Sequence, residues 1–330
     1  MSDRRSFIRG TLGATAALGV AQGLTACGGG GMSEVMAATA PNPLGAQLRQ
    51  LTASSVWTKV GETRLAGNAY HPQGLVRIGN AYYLSTVEIL ALPTALNLAA
   101  DGYDRTTGTG RGHILKYDMA GTLLADLPIG EGTVYHPGGM DFDGTNLWVP
   151  TAEYRPDSQA LLYRVDPVAM RATKVAAFKD HIGGLSRNPD TNALHGISWG
   201  SRRFYRFGLD AAQTSSPDAL VPPATLRKTN HAFYIDYQDN QYIGANEMVY
   251  TGLTSFAATA NSNAFALGGL EIVNLETGLS VHQVPIKLYA ASRRPMTTNA
   301  TWFESIATGI RGYFVPDDDT ASVHIYEVTL

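Results

Sequence analysis

Cysteine is almost absent, since the chain of 330 residues contains one, Cys27. A single thiol excludes any disulfide within the chain, so the fold must be held by packing and hydrogen bonds. Charge is also sparse: 16% of residues are charged, with a formal net of −3. A chain with no basic excess lacks the electrostatic footprint of a nucleic-acid binder. Beyond the N-terminal segment no apolar run is long enough to cross a bilayer as a helix. The metalloprotease motif H-E-x-x-H is missing, and no cysteine can be spared as a nucleophile. Glycine (35) and proline (16) are plentiful beside 44% hydrophobic residues, which fits one large domain rich in turns.

The first residues follow a different logic. Arg4 and Arg5 precede Phe7, Ile8 and Arg9, and a mildly apolar run leads to Leu24-Thr25-Ala26-Cys27. The pattern resembles a twin-arginine export signal ending in a bacterial lipobox. The resemblance implies that residues 1–27 are a signal segment and that Cys27 is lipidated. The mature protein would then be anchored by lipid to a membrane and face the periplasm, and Gly28 is similar to the outer-membrane sorting pattern. The alternative is an ordinary cleaved signal with an incidental cysteine. Export by this route implies folding before transport, which suits a protein loaded with a cofactor in the cytoplasm. Residues 28–50 have little hydrophobic periodicity and are expected to be a flexible tether, leaving 51–330 as the folded domain.

Within that domain one pattern returns. Tyr70 to Glu88 reads YHPQGLVRIGNAYYLSTVE, and Tyr135 to Glu153 reads YHPGGMDFDGTNLWVPTAE. Weaker copies open at His181 (HIGGL), His231 (HAFYI) and Trp302 (WFESI). Each is followed by short runs bearing β-branched or aromatic residues, separated by Gly, Asp or Pro turns, as antiparallel strands require. The spacing, less two long inserts, is near the roughly 40–50 residues of one propeller blade. The expected fold is all-β, a five-bladed β-propeller in which the strand-like segment 54–66 completes the last blade and removes an open sheet edge. A six-bladed ring is the alternative if 248–301 holds another blade. The hairpin Asp141–Val149 also resembles one that recurs in gluconolactonase-like and strictosidine-synthase-like propellers, which supports the fold class alone. Its DFDGTN start is similar to a calcium loop, but it lacks the later ligands and falls where a tight turn is expected.

In a propeller blade the start of the innermost strand and the end of the second lie at the same mouth of the channel. That geometry predicts meetings of His71 with Glu88, His136 with Glu153, and His231 with Glu247. The inserts after Glu88 and Glu247 are expected over the same mouth, making it the candidate ligand site. His71, His136, His181 and His231 could hold a single divalent metal ion, with Glu88, Glu153 and Glu247 orienting the rings from behind. Four histidines backed by glutamates resemble the iron site of carotenoid-cleavage oxygenases in residue type only. Alternatively His71, His136, Glu88 and Glu153 act as acid and base in hydrolysis. Tyr70, Tyr135, Tyr154 and Trp199 form an aromatic rim suited to stacking on a small-molecule ligand, or else pack between blades. Blades three and five depart from the pattern, with Gly200 and Asp319 where Glu is expected. The two function classes left open are a metal-dependent hydrolase or oxidoreductase acting on a small molecule, and a lipoprotein that binds a ligand or protein without catalysis.

Overall fold

The computed structural model describes residues 42–209, 216–221, 227–260 and 262–330. The export signal, Cys27 and most of the expected tether lie outside the described residues. Five sheets follow one another along the chain and form a five-bladed β-propeller. The first strand in sequence, β1 (Thr58–Arg64), is the outer strand of the last blade. Blade one is β2 (His71–Ile78), β3 (Ala81–Ala91), β4 (Thr109–Asp118) and β5 (Leu123–Ile129). Blade two is β6 (His136–Pro137) and β7 (Asp141–Phe142) on the inner edge, then β8 (Leu147–Ala152), β9 (Ala160–Asp166) and β10 (Arg171–Phe178). Blade three is β11 (Ile182–Asn188), β12 (Ala193–Ser198) and β13 (Arg203–Gly208). Chain order then gives β14 (Leu220–Val221), which runs parallel to β10 at the edge of blade two, and β15 (Arg227–Thr229), the outer strand of blade three. Blade four is β16 (Asp236–Gly244), β17 (Glu247–Phe256), β18 (Phe265–Asn274) and β19 (Leu279–Ile286). Blade five is β20 (Ala300–Ile306), β21 (Gly309–Val315) and β22 (Ser322–Thr329), completed by β1.

Burial explains the strand patterns. β8 and β12 are buried along their whole length, because the blades on either side cover both faces of an inner strand. β5, at the outside, alternates between exposed and partly covered positions, the period-two signature of a strand with one wet face. β1 pairs antiparallel with β22, from Thr58 opposite Glu327 to Arg64 opposite Ser322, and closes the ring.

The repeated glycines lie where inner strands converge on the channel. Gly139 N–H donates to Gly183 O at 2.9 Å and Leu185 N–H to Gly139 O at 3.1 Å, joining blades two and three through main chain. A Cβ on Gly138 would fall 2.2 Å from Gly183 O, so no other residue fits without moving backbone. Two buried carboxylates tie further blades together. Asp239 accepts from Leu75 N–H at 3.0 Å and Thr301 N–H at 2.8 Å, linking blades four, one and five. Asp141 accepts from Tyr242 N–H at 2.8 Å, linking two to four.

The expected tether ends earlier than residue 50. A short helix, α1 (Pro43–Leu48), follows Asn42, whose side chain accepts from Leu44 N–H at 3.0 Å. Leu44, Leu48 and Leu51 recur at helical spacing and are buried with Ile243, Phe303 and Ile310 between blades four and five. A second short helix, α2 (Leu98–Asp101), lies in the blade-one insert. Among the described residues no helix is long and apolar enough to cross a membrane.

Candidate functional site

The inner strands begin at one mouth of the channel, and the ends of the second strands surround it. A connected cleft opens there, about 490 Å³ on the side of Tyr70, His71, Glu88, Asp318 and Asp319, and about 260 Å³ on the side of His136, His181, Trp199 and Asp236. His71 and Tyr154 line both parts. Five rings follow one another along the wall. His71 and His136 have centroids 6.2 Å apart, His136 stacks on Tyr154 at 4.4 Å, Tyr154 lies 5.8 Å from Trp199, and Trp199 meets His181 edge-on at 4.9 Å.

The ring nitrogens are fixed by different partners. His71 Nδ1 lies 2.8 Å from Asp318 Oδ1. A carboxylate accepts, so Nδ1 carries the proton and Nε2 is the nitrogen left to accept one. Burial works against ionisation of Asp318, but His71 and Arg294 outweigh it and bring the carboxyl down to about 2. His181 Nδ1 donates to the Glu153 carbonyl at 2.9 Å, which leaves its Nε2 unprotonated. His136 is almost fully buried and its Nε2 has no partner among the described residues. Burial holds its imidazole well below the ordinary range, with His71 and His181 adding to the effect, and His181 is lowered chiefly by burial too.

Three of the four expected histidines therefore converge, and one does not. His231 is exposed in the connection from β15 to β16 and lines neither part of the cleft. Counting back from the blade-four turn at Gly244, as one counts back from Gly79 to His71, arrives at Asp236, and Asp236 does line the cleft. The turn was the better landmark than the histidine. The four-imidazole set expected around a metal is consequently not assembled, and among the described residues no group of three or more His, Cys, Asp or Glu side chains is placed to hold a metal ion.

The glutamates separate as well. Glu88 lines the cleft and pairs with Arg111 at 3.0 Å. Glu153 is buried behind the wall, accepting from Thr133 Oγ1 at 2.7 Å, Gln159 Nε2 at 3.1 Å and Arg155 Nε at 2.7 Å. Glu247 opens β17 rather than ending a second strand, so it lies at the opposite end of the channel, paired with Arg49. In blade five Trp302 sits in the middle of β20 opposite Tyr313, away from the histidine position. Asp319 reaches the rim, while its neighbour Asp318 makes the contact with histidine.

Of the aromatic rim, Tyr70, Tyr154 and Trp199 line the cleft. Tyr135 is buried and secures the blade-one insert, its hydroxyl donating to Thr107 O at 2.5 Å. The insert after Glu247 is instead the long hairpin β17–β18, which ends at Phe256 and Phe265, rings stacked at 4.5 Å, on the cleft side.

Gly196-Ile197-Ser198-Trp199-Gly200 has G-x-S-x-G spacing. Ser198 lines the cleft, but its Oγ accepts from Arg203 N–H at 3.0 Å and lies 3.4 Å from Trp199 O, with no histidine in hydrogen-bonding contact. It ends a strand of a propeller, not the strand-turn-helix that exposes a nucleophile in hydrolases of that motif.

The decisive comparison is at the level of family. The chain belongs to the DUF6454 family. This is a family of unknown function, and its profile matches residues 35–330. No curated protein matches the sequence. Among solved structures, glutaminyl cyclase of Myxococcus xanthus is similar at 12% identity and a TM-score of 0.47, over 85% of this chain and 100% of that one. A luciferin-regenerating enzyme is similar at 12% identity and a TM-score of 0.45, over 84% and 96% of the two chains. A hypothetical protein of Leishmania major gives 6% identity and a TM-score of 0.44, over 87% and 94%.

Proposed function

We propose that this DUF6454 chain is an exported, lipid-anchored enzyme that acts on a small molecule at the channel mouth by general acid–base catalysis. The observation that carries the reading is the His71–Asp318 pair at 2.8 Å, with His71 in the wall of both parts of the cleft and Asp318 in the wall of the larger. Asp318 fixes the tautomer, so His71 Nε2 is the base, taking a proton from a bound water or directly from substrate. His136, uncharged and without a partner at Nε2, is the second group able to take part in proton transfer. Tyr154 and Trp199 supply the apolar surface that positions the ligand. Among the described residues no serine, threonine, cysteine or lysine lining the cleft is hydrogen-bonded to a base, and the reading is therefore attack by water or proton abstraction.

The test is to incubate the purified domain with a bacterial small-molecule extract and follow it by mass spectrometry. A species consumed by the wild-type protein should persist in His71→Ala, and Asp318→Asn should slow its loss by about 10²–10⁴-fold, the usual share of a positioned base. Turnover continuing undiminished in both variants would sink the reading. If the wild-type protein consumes nothing but retains one compound, the cleft is a binding site without chemistry.

A further inference from the structure

The lining of the cleft is one-sided in charge. Glu88, Asp236, Asp318 and Asp319 are part of it, and neither lysine nor arginine is. Arg111, Arg202 and Arg294 reach Glu88, Asp236 and Asp318 from outside the lining, at 3.0, 3.2 and 2.8 Å. The Asp319 carboxylate meets no cation among the described residues. The apolar part of the wall is electron-rich: Tyr154 and Trp199 line it with ring centroids 5.8 Å apart, and an aromatic ring face attracts positive charge. Trp199 already shows this preference, because the guanidinium of Arg105, carried on the blade-one insert, lies 5.2 Å from its centroid. The buried Nε2 of His136 adds a polar atom without a hydrogen-bond partner among the described residues.

A lining that holds four carboxylates and the rings of Tyr154 and Trp199 but neither lysine nor arginine disfavours an anionic ligand, and a neutral one would leave the Asp319 carboxylate unmatched. We propose that the cleft selects an organic cation, a protonated amine carried on a flat ring, with Asp236 and Asp319 meeting the charge and Tyr154 and Trp199 the ring. This deepens the acid–base reading, on which it rests for taking the cleft as the site of chemistry. The amine is the handle by which the substrate is held, and the proton transfer at His71 acts elsewhere on the molecule.

Calorimetric titration of the domain with benzylamine, benzyl alcohol and benzoate at neutral pH and low salt tests it. The ammonium form of benzylamine should bind about tenfold or more tightly than either of the others. That preference should fall to about threefold or less in an Asp236→Asn/Asp319→Asn double variant, and Trp199→Ala should weaken the amine. Should the double variant lose its cooperative melt, Asp319→Asn alone, at the exposed rim, carries the comparison. Equal or tighter binding of the alcohol or benzoate, no binding of any of the three, or a preference unchanged in the variant overturns the proposal. Binding is read without turnover and with His71 and Asp318 intact. Loss of cation preference therefore overturns only the ligand class, and turnover indifferent to His71 overturns only the acid–base reading.

Discussion

The carboxylate of Asp143 serves the fold rather than a ligand. It accepts from the N–H groups of Thr145 and Asn146 at 2.9 and 2.8 Å, from the indole of Trp148 at 2.8 Å and from Arg187 at 2.9 Å, so the calcium-like start of this hairpin has no oxygen to spare. Burial opposes its ionisation, yet these donors hold its pKa below the ordinary value. Asp143→Ala should cost about 2–3 kcal/mol by leaving buried donors unpaired, and an unchanged urea midpoint would contradict that account. His195 provides a pH-dependent counterpart. Burial first, then Arg206 and Lys228, lower it from 6.5 to about 4, at the seam between blades three and four. The unfolded chain takes up that proton near 6.5 and the folded chain refuses it until about 4, so stability is lost as pH falls through this window. His195→Leu should flatten the loss, narrowing the wild-type difference in unfolding free energy between neutral pH and the bottom of the window by roughly 2–3 kcal/mol. Parallel acid sensitivity in the two proteins would show that His195 is not responsible.

At the scale of elements, closure and loop anchoring make separate predictions. β1 covers the edge of β22 along its register from Thr58 to Arg64. A chain beginning at Leu65 should expose that edge and elute from size exclusion as oligomers or aggregate, because an unpaired strand is a template for another chain. A monodisperse monomer of unchanged melting temperature would mean the ring is closed by other contacts. α1 is a smaller seal at the end opposite the cleft, with Leu48 wholly buried and Gln47 Nε2 donating to Ile306 O at 3.2 Å. Leu48→Ala should destabilise by about 2–5 kcal/mol, as large-to-small core changes do, leaving the ligand preference of the distant cleft intact. The insert between β3 and β4 depends on Tyr135. Tyr135→Phe removes the hydroxyl held by Thr107 O, at a cost of about 1 kcal/mol, and should speed protease cleavage within residues 92–108.

For the whole molecule, the propeller divides labour between its two ends. Chemistry-bearing side chains gather where the inner strands begin, and α1 with the Arg49–Glu247 pair occupies the other end. Between them Asp239 and Asp141 hold the blades together by main-chain hydrogen bonds, at the cost of burying carboxyl groups that burial pushes upward, Asp141 to about 7. The proposed export and lipid anchoring concern the whole chain and rest on Cys27. Cys27→Ala should move the protein from the membrane fraction to the soluble periplasmic fraction, and membrane association that survives the change would remove the lipid from the account.

The sequence by itself determined the kind of fold, because the repeat of strand, turn and strand leaves the chain little alternative to stacking its blades around an axis. It also showed that His71, His136 and His181 share a mouth, since the HPxG and HIGG stretches mark inner strands whose glycines admit close main-chain approach. What it could not show is register. The repeated letter at His231 carried less information than the turn at Gly244, and Glu247 ended a run that resembled a second strand while actually beginning one. The Asp318 partner of His71 was out of reach for the same reason: the two are 247 residues apart and meet only because the ring closes blade five against blade one. Side chains separated that widely are brought to hydrogen-bonding distance by packing and strand pairing around the axis, and no local pattern encodes that distance.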